Sequence, residues 1–159
     1  MTLSRRYYFS ASHRLHSQAL TSSENTRVYG KCNNPFGHGH DYRLEVSVAG
    51  AVDPVSGLIV PLAELDRFVE EKILRLFAHR NINLDVPQFA ELVPTTENLA
   101  IVMGALIEQS WPVSFEELGA RPVRIHIQET ARNGFEVVLG KRNQTRGHNH
   151  QGKGVTVHV

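Results

Sequence analysis

The chain lacks the features that would tie it to a membrane, a nucleic acid or an oxidising compartment. One cysteine in 159 residues rules out an internal disulfide and fits a reducing environment. A formal net charge of +1 gives no field that would draw nucleic acid or an anionic membrane surface. No apolar run approaches the roughly 20 residues needed to span a bilayer. The N-terminus has no basic segment followed by an apolar one, so no signal peptide is expected and the chain reads as cytoplasmic. Internal repeats are missing too. With 41% hydrophobic and 21% charged residues, the composition is that of a soluble globular protein. A chain of 159 residues is most simply one domain with a real core.

Histidine, by contrast, is abundant and unevenly placed. Of nine, His13, His38, His40 and His79 sit beside turns or element boundaries, and His126 falls inside a strand pattern. His148, His150 and His158 belong to a polar, aperiodic stretch from Lys141 onward, read as a flexible tail over 141–159.

Periodicity orders the rest, over 1–140. Leu3 to Ala11 alternates as a strand, with Tyr7, Phe9 and Ala11 on one face, and His13 joins that face if the chain stays extended. His16 to Tyr29, rich in Ser, Thr and Asn, reads as a loop. Tyr42 to Ala49 is the clearest strand, its apolar face carried by Tyr42, Leu44, Val46 and Val48. After turn chemistry at 53–57, Pro61 suits a first helical turn, and Leu62, Leu65, Val69, Ile73 and Leu76 form an apolar stripe. That helix is expected to end near 77–80. Asn81 to Pro94 reads as a connection. Thr95 or Thr96 caps a second helix with a stripe of Leu99, Val102, Met103 and Leu106. A connection over 111–121, a strand over 123–128 and a return strand over 135–139 complete the order ββααββ. This predicts an α+β fold, two helices covering one face of a four-stranded antiparallel sheet. The sheet would have two open edges, and edge-to-edge assembly into a barrel of subunits would remove them.

The chemistry gathers around Gly30-Lys-Cys32-Asn-Asn-Pro-Phe-Gly-His38-Gly-His40-Asp-Tyr42. In an extended chain His38 and His40 share one face, and their parity is that of the apolar face of the following strand. With His13 as third ligand they make the three-histidine, open-position pattern of catalytic zinc. Imidazole also suits nickel and copper, and the bland alternative is three surface or hydrogen-bonding histidines. Cys32 is either an inert small side chain or, in its polar turn beside Lys31 and a metal, a thiol shifted toward thiolate. Glu129 falls on the apolar parity of its strand. It is either a strand end turned to water or a half-buried acceptor for a row of N–H donors. His79, at a helix end, reads by itself as a C-terminal cation.

These motifs, with Ser10-Ala-Ser-His13-Arg-Leu, Asp53-Pro-Val-Ser-Gly57, His79-Arg-Asn81, Pro94-Thr-Thr-Glu97-Asn and Glu129-Thr130, resemble the 6-pyruvoyltetrahydropterin synthases over roughly Arg5 to Gly140. The Cys-Asn-Asn-Pro form is more similar to the pyruvoyl enzymes than to the 6-carboxytetrahydropterin synthases. The resemblance implies the tunnelling fold and a homohexamer made of two trimers, with active sites at subunit interfaces. It implies Zn2+ on His13, His38 and His40, Cys32 as base with His79, and Glu129 anchoring the pterin with Thr95 or Thr96 and Glu97. The implied reaction eliminates triphosphate from 7,8-dihydroneopterin triphosphate with an internal redox tautomerisation. The chain departs from the pattern at Ala78, where the family carries an aspartate before the catalytic histidine, and at Phe36, where a small polar residue is common. Ala78 keeps other readings open: another pterin reaction on the same scaffold, or a zinc-containing pterin-binding protein without turnover.

Overall fold

The alternating segments form one antiparallel sheet in the order β1-β2-β3-β4, as described by a computed structural model covering residues 1–140. Its strands are β1 (Thr2–His13), β2 (His38–Ala49), β3 (Arg121–Thr130) and β4 (Asn133–Val138). Phe9, Ala11 and His13 of β1, Tyr42, Leu44, Val46 and Val48 of β2, and Ile125 and Ile127 of β3 are buried beneath the helices. Phe9 stacks on Tyr42 with ring centroids 5.1 Å apart, a contact of about 0.5–1.5 kcal/mol beyond its buried area. The opposite face is polar. There Glu45 pairs with Arg6 at 2.9 Å and with Arg124, which also reaches Glu136 at 2.8 Å.

The strands run further than expected, and this matters most at one corner. β1 extends to His13 and β2 begins at His38, so the two residues are direct partners in the ladder and Ala11 faces His40. All three histidines thus share the buried parity at the same end of the sheet.

The first long helical segment joins α2 (Leu62–Val69), a π turn (Glu70–Leu74) and α3 (Arg75–Phe77). Besides Phe68, its buried residues Leu65, Val69, Ile73 and Phe77 recur every four positions. In a regular α-helix a four-residue step overshoots a turn by about 40°, so such a stripe would drift off the core. The wider π turn takes up the drift. Leu76, expected in the stripe, is displaced to 37% exposure, and Phe77 takes the inner position.

The second long helix, α5 (Thr96–Ser110), packs across β3 and β4. Thr95 is its N-cap, accepting the Asn98 N–H at 3.3 Å. Leu99, Ala100, Met103, Gly104 and Ile107 are buried, while the expected Val102 and Leu106 are only half-buried. Two small residues form part of the inner face because the helix sits close. A Cβ on Gly104 would lie 3.0 Å from Leu139 Cδ2.

Three segments read as connections contain helices. The supposed loop 16–29 holds α1 (Ser22–Tyr29), whose Thr21 and Glu24 form a reciprocal capping box. Asn25, fully buried, donates to the carbonyls of Ser17, Leu20 and Thr21 and accepts the Ser17 N–H at 2.8 Å. A polar helix is therefore held by caps and one buried amide rather than by an apolar stripe. The 81–94 segment forms α4 (Ile82–Asp85) and a 3-10 turn at Pro87–Phe89, burying Ile82, Val86 and Phe89. The 111–121 segment forms α6 (Val113–Glu117), where Trp111 Nε1 donates to Ala120 O at 3.0 Å. No helix among the described residues is long and apolar enough to cross a membrane. The tail expected from Lys141 lies outside the described residues.

Candidate metal centre and ligand site

The corner where β1 ends and β2 starts brings His13, His38 and His40 together, with ligand atoms all within 4.8 Å of one another. His13 is 1% exposed, and its Nδ1 lies 2.8 Å from the carbonyl oxygen of Pro94. A carbonyl can only accept, so Nδ1 carries the proton and the Nε2 lone pair points at the cluster. His13 Nε2 lies 3.2 Å from His38 Nε2. Neighbouring nitrogens around a tetrahedral zinc at roughly 2.0–2.1 Å are about 3.4 Å apart, so the spacing fits a shared ion. The buried atoms His38 Nδ1 and His40 Nε2 have no hydrogen-bond partner among the described residues. Burial, foremost, lowers the pKa of His13 and of His38, favouring the neutral imidazoles that metal binding requires. The donor set is all imidazole, a borderline set suited to zinc and its neighbours.

Gly37 makes the tight approach possible. It adopts φ +70°, and a Cβ there would lie 2.8 Å from the backbone oxygen of His13. Any other residue would push β2 away from β1 where the histidines meet.

Glu129 closes the corner from β3. Its side chain is 11% exposed, so it is not a strand end turned to water. Oε1 lies 3.4 Å from His13 Nε2 and 3.8 Å from His40 Nε2, and accepts from the Tyr42 hydroxyl at 3.4 Å. Oε2 accepts from Asn133 Nδ2 at 2.7 Å. Burial and then the Glu129 charge push the Tyr42 hydroxyl pKa far up, so it remains a donor.

Of the residues at the α5 N-terminus, Thr96 is 2% exposed and its Oγ1 accepts from Asn133 Nδ2 at 3.0 Å. Thr96 thus holds the Asn133 amide that holds Glu129. Thr95 is occupied as the helix cap, and Glu97 is exposed in the first turn. Cys32 sits half-buried in a 3-10 turn (Gly30–Asn33), its carbonyl accepting the Leu15 N–H at 2.9 Å. The sequence allows two readings of its thiol, an inert small side chain or one shifted toward thiolate beside Lys31 and a metal. The protein groups raise its pKa, through burial first and the Glu129 charge second, and Lys31 does not counter them.

His79 is not part of this corner. It follows α3 at the outer edge of β1, its N–H donating to Ser10 O at 2.7 Å while Ser12 N–H donates to Arg80 O at 2.9 Å. Its φ of +59° is the one positive value among non-glycine described residues, a conformation costing of order 1 kcal/mol or more. Asp85 makes no hydrogen bond or ion pair with its ring among the described residues, and its Oδ2 accepts the Asn81 N–H at 2.8 Å. Ala78 is half-buried against the core.

Sequence reasoning missed Pro94, Tyr42 and Asn133. Tyr42 shares the parity of His40 and was open to inclusion. Pro94 acts through its backbone oxygen, which no side-chain pattern reveals. Asn133 lies four residues past Glu129 across a hairpin, and the turn brings the two together.

The described geometry has close relatives in known proteins. The family model described as 6-pyruvoyl tetrahydropterin synthase matches residues 2–139. A 6-pyruvoyl tetrahydrobiopterin synthase of Poecilia reticulata is 47% identical over 125 residues, covering 79% of this chain and 81% of the relative. The Homo sapiens protein of the same description is 47% identical over 111 residues, covering 70% and 77%. The solved structure of Caenorhabditis elegans 6-pyruvoyl tetrahydropterin synthase superposes with a TM-score of 0.79 at 38% identity, over 88% of this chain and 96% of that one.

Proposed function

Because this chain belongs to the 6-pyruvoyl tetrahydropterin synthase family, we propose that it converts 7,8-dihydroneopterin triphosphate to 6-pyruvoyltetrahydropterin with loss of triphosphate. Membership makes it a lyase-type enzyme, and residues 1–140 would be its working domain. The observation that carries the substrate reading is the half-buried Glu129 carboxylate set against the three-histidine cluster. A carboxylate so placed accepts from the row of ring N–H and amino donors of a pterin. The same placement sets the substrate side chain over the imidazoles.

A zinc ion on His13, His38 and His40 would supply a Lewis acid that acidifies the carbon-bound proton and stabilises the negative charge left behind. Cys32 would take that proton on Sγ once its thiol proton has passed to His79, since burial and the Glu129 charge favour the protonated thiol. Glu129 fixes the pterin ring so that the side chain lies between the thiol and the histidines, with Asn133 and Thr96 holding the carboxylate. The triphosphate departs with the carbon–oxygen bond pair, and His79 exchanges protons with Cys32 and the reacting side chain. The redox change is internal to the substrate, so no external redox cofactor is used.

His79 lies across β1 from the histidine corner, so we place it in a site shared between subunits. The free edges of β1 (beyond the part bridged by 79–81) and of β4 support closure of the sheets into a barrel, with a homohexamer of two trimers as the assembly. The single cysteine supports a cytoplasmic setting.

Incubating zinc-loaded protein with 7,8-dihydroneopterin triphosphate, with chromatography of products and sedimentation analysis of the oligomer, tests this reading. Triphosphate and a pyruvoyl pterin are expected from a hexamer. A carboxy product or acetaldehyde would move the chain to a different reaction on this scaffold. Tight binding without turnover would make it a pterin-binding protein.

A further inference from the structure

Given His79 as a proton-transfer group, as the reading above has it, its support is the open question. A histidine exchanging protons needs its ring oriented and its charged form stabilised, usually by a carboxylate. Position 78 offers only a methyl group, and the Asp85 carboxylate is held by a backbone N–H.

A different carboxylate faces the same space. A cavity of about 400 Å³ is lined by Ser10, Asp41, His79 and Arg80, among others. Ser10 is bonded to both His79 and Asp41. On one side its backbone oxygen accepts the His79 N–H at 2.7 Å. On the other it is the ladder partner of Asp41, and its hydroxyl donates to Asp41 Oδ1 at 2.5 Å. Adjacent strands lie roughly 4.8 Å apart, so Ser10 stands between the histidine and the carboxylate. A serine hydroxyl that donates once can still accept. The short bond to a charged acceptor strengthens that acceptance.

We propose that Ser10 and Asp41 are positioning residues for His79, taking the part of the carboxylate absent at position 78. The exposed His79 ring turns into the cavity, its N–H donates to Ser10 Oγ, and Ser10 donates onward to Asp41. The strained backbone at His79 fits this role. Its positive φ is held by the bond to Ser10, so the same residue fixes the backbone and receives the ring. Arg80 lines the cavity too and is the competing partner for Asp41.

The test compares Asp41→Asn, Ser10→Ala and Ala78→Asp, singly and with Ala78→Asp added to Asp41→Asn, in zinc-loaded protein. Asp41→Asn should lower kcat for 7,8-dihydroneopterin triphosphate roughly ten-fold or more, part of the range for acid–base assistance. KM and zinc content should hold. Ser10→Ala should act in the same direction. Ala78→Asp should do little alone but restore kcat in the Asp41→Asn background, which a merely structural role for Asp41 would not allow. Unchanged kcat in Asp41→Asn, or a ten-fold gain from Ala78→Asp alone, overturns the proposal. A crystal structure of the zinc-loaded oligomer decides independently of activity. A His79 ring nitrogen within hydrogen-bond distance of Ser10 Oγ is expected. A ring bonded to another carboxylate, or an Asp41–Arg80 ion pair with His79 turned away, overturns it. If wild type does not turn over this substrate, the functional reading fails and the crystal structure still judges the pair.

Discussion

The two ends of the proposed chemistry are built in opposite ways. At the histidine corner every part comes from within one sheet and the loop beside it. His13, His38, His40 and Glu129 share the buried parity of three adjacent strands, and Pro94 and Asn133 fix the outer two. At the β1 edge, His79 is exposed, turned by a strained backbone, and bonded through its N–H to Ser10 beside the cavity. Side chains ordered by strand register are complete when one chain folds. A side chain mounted beyond an edge strand gains its partners from whatever next meets that edge.

The strongest way to break this contrast is His38→Ala. If the corner is self-contained, the variant loses stoichiometric zinc and turnover, while circular dichroism and sedimentation stay those of the folded oligomer. Chelation of wild type should give the same result, because the core beneath the corner is apolar and closed. Full metal content in His38→Ala would mean the ligand set is drawn wrongly.

Cys32→Ala and His79→Ala probe the other half. Each alone should lose most activity without losing zinc. Oligomers reassembled from a mixture of the two variants should regain part of it, since some sites would combine an intact cysteine with an intact histidine from another subunit. No recovery on mixing would place both residues in one subunit's site and erase the contrast.

Smaller effects sharpen the corner itself. Glu129→Gln replaces an acceptor oxygen with a donor and should weaken dihydropterin binding by about 1.5–3 kcal/mol, the range for hydrogen bonds to charged groups, as read by calorimetric titration. Asn133→Ala removes one bond to Glu129 from the rim and should cost about 0.5–1.5 kcal/mol in the same titration, with zinc unchanged. An Asn133 effect equal to that of Glu129 would show that the carboxylate is held by the amide alone.

The corner was legible because period-two alternation carries side-chain direction over a whole strand. Phe9 and Ala11 announce the face of His13, and Tyr42 and Leu44 that of His38 and His40. Glu129 followed from Ile125 and Ile127 in the same way. The edge was not legible, since nothing in His79-Arg-Asn tells which strand it will lie beside. The helix at Ser22–Tyr29 was within reach. Thr21-Ser-Ser-Glu24 is a capping box, but the segment lacks the apolar stripe by which helices are usually found, and Asn25 supplies its anchorage. The displacement of Leu76 by Phe77 depended on a π turn, which a stripe drawn at regular helical spacing does not foresee.

That π turn also makes the segment between Glu70 and Leu74 a place where the chain can give up a residue. A π turn is a helix carrying one residue more than its turns require, and losing that residue would let the segment relax to a regular helix. Everything after it would keep its phase, because the π turn holds the extra residue without advancing the rest of the helix, whereas a regular α-helix through all five residues would carry it about 100° further round the axis. In that second case Phe77 would leave the core, and the chain at 79–81 would no longer reach Ser10 and Ser12. Deletion of one exposed residue of this turn should leave the site in phase with the sheet, whereas insertion of a further residue in the helix would set it out of phase.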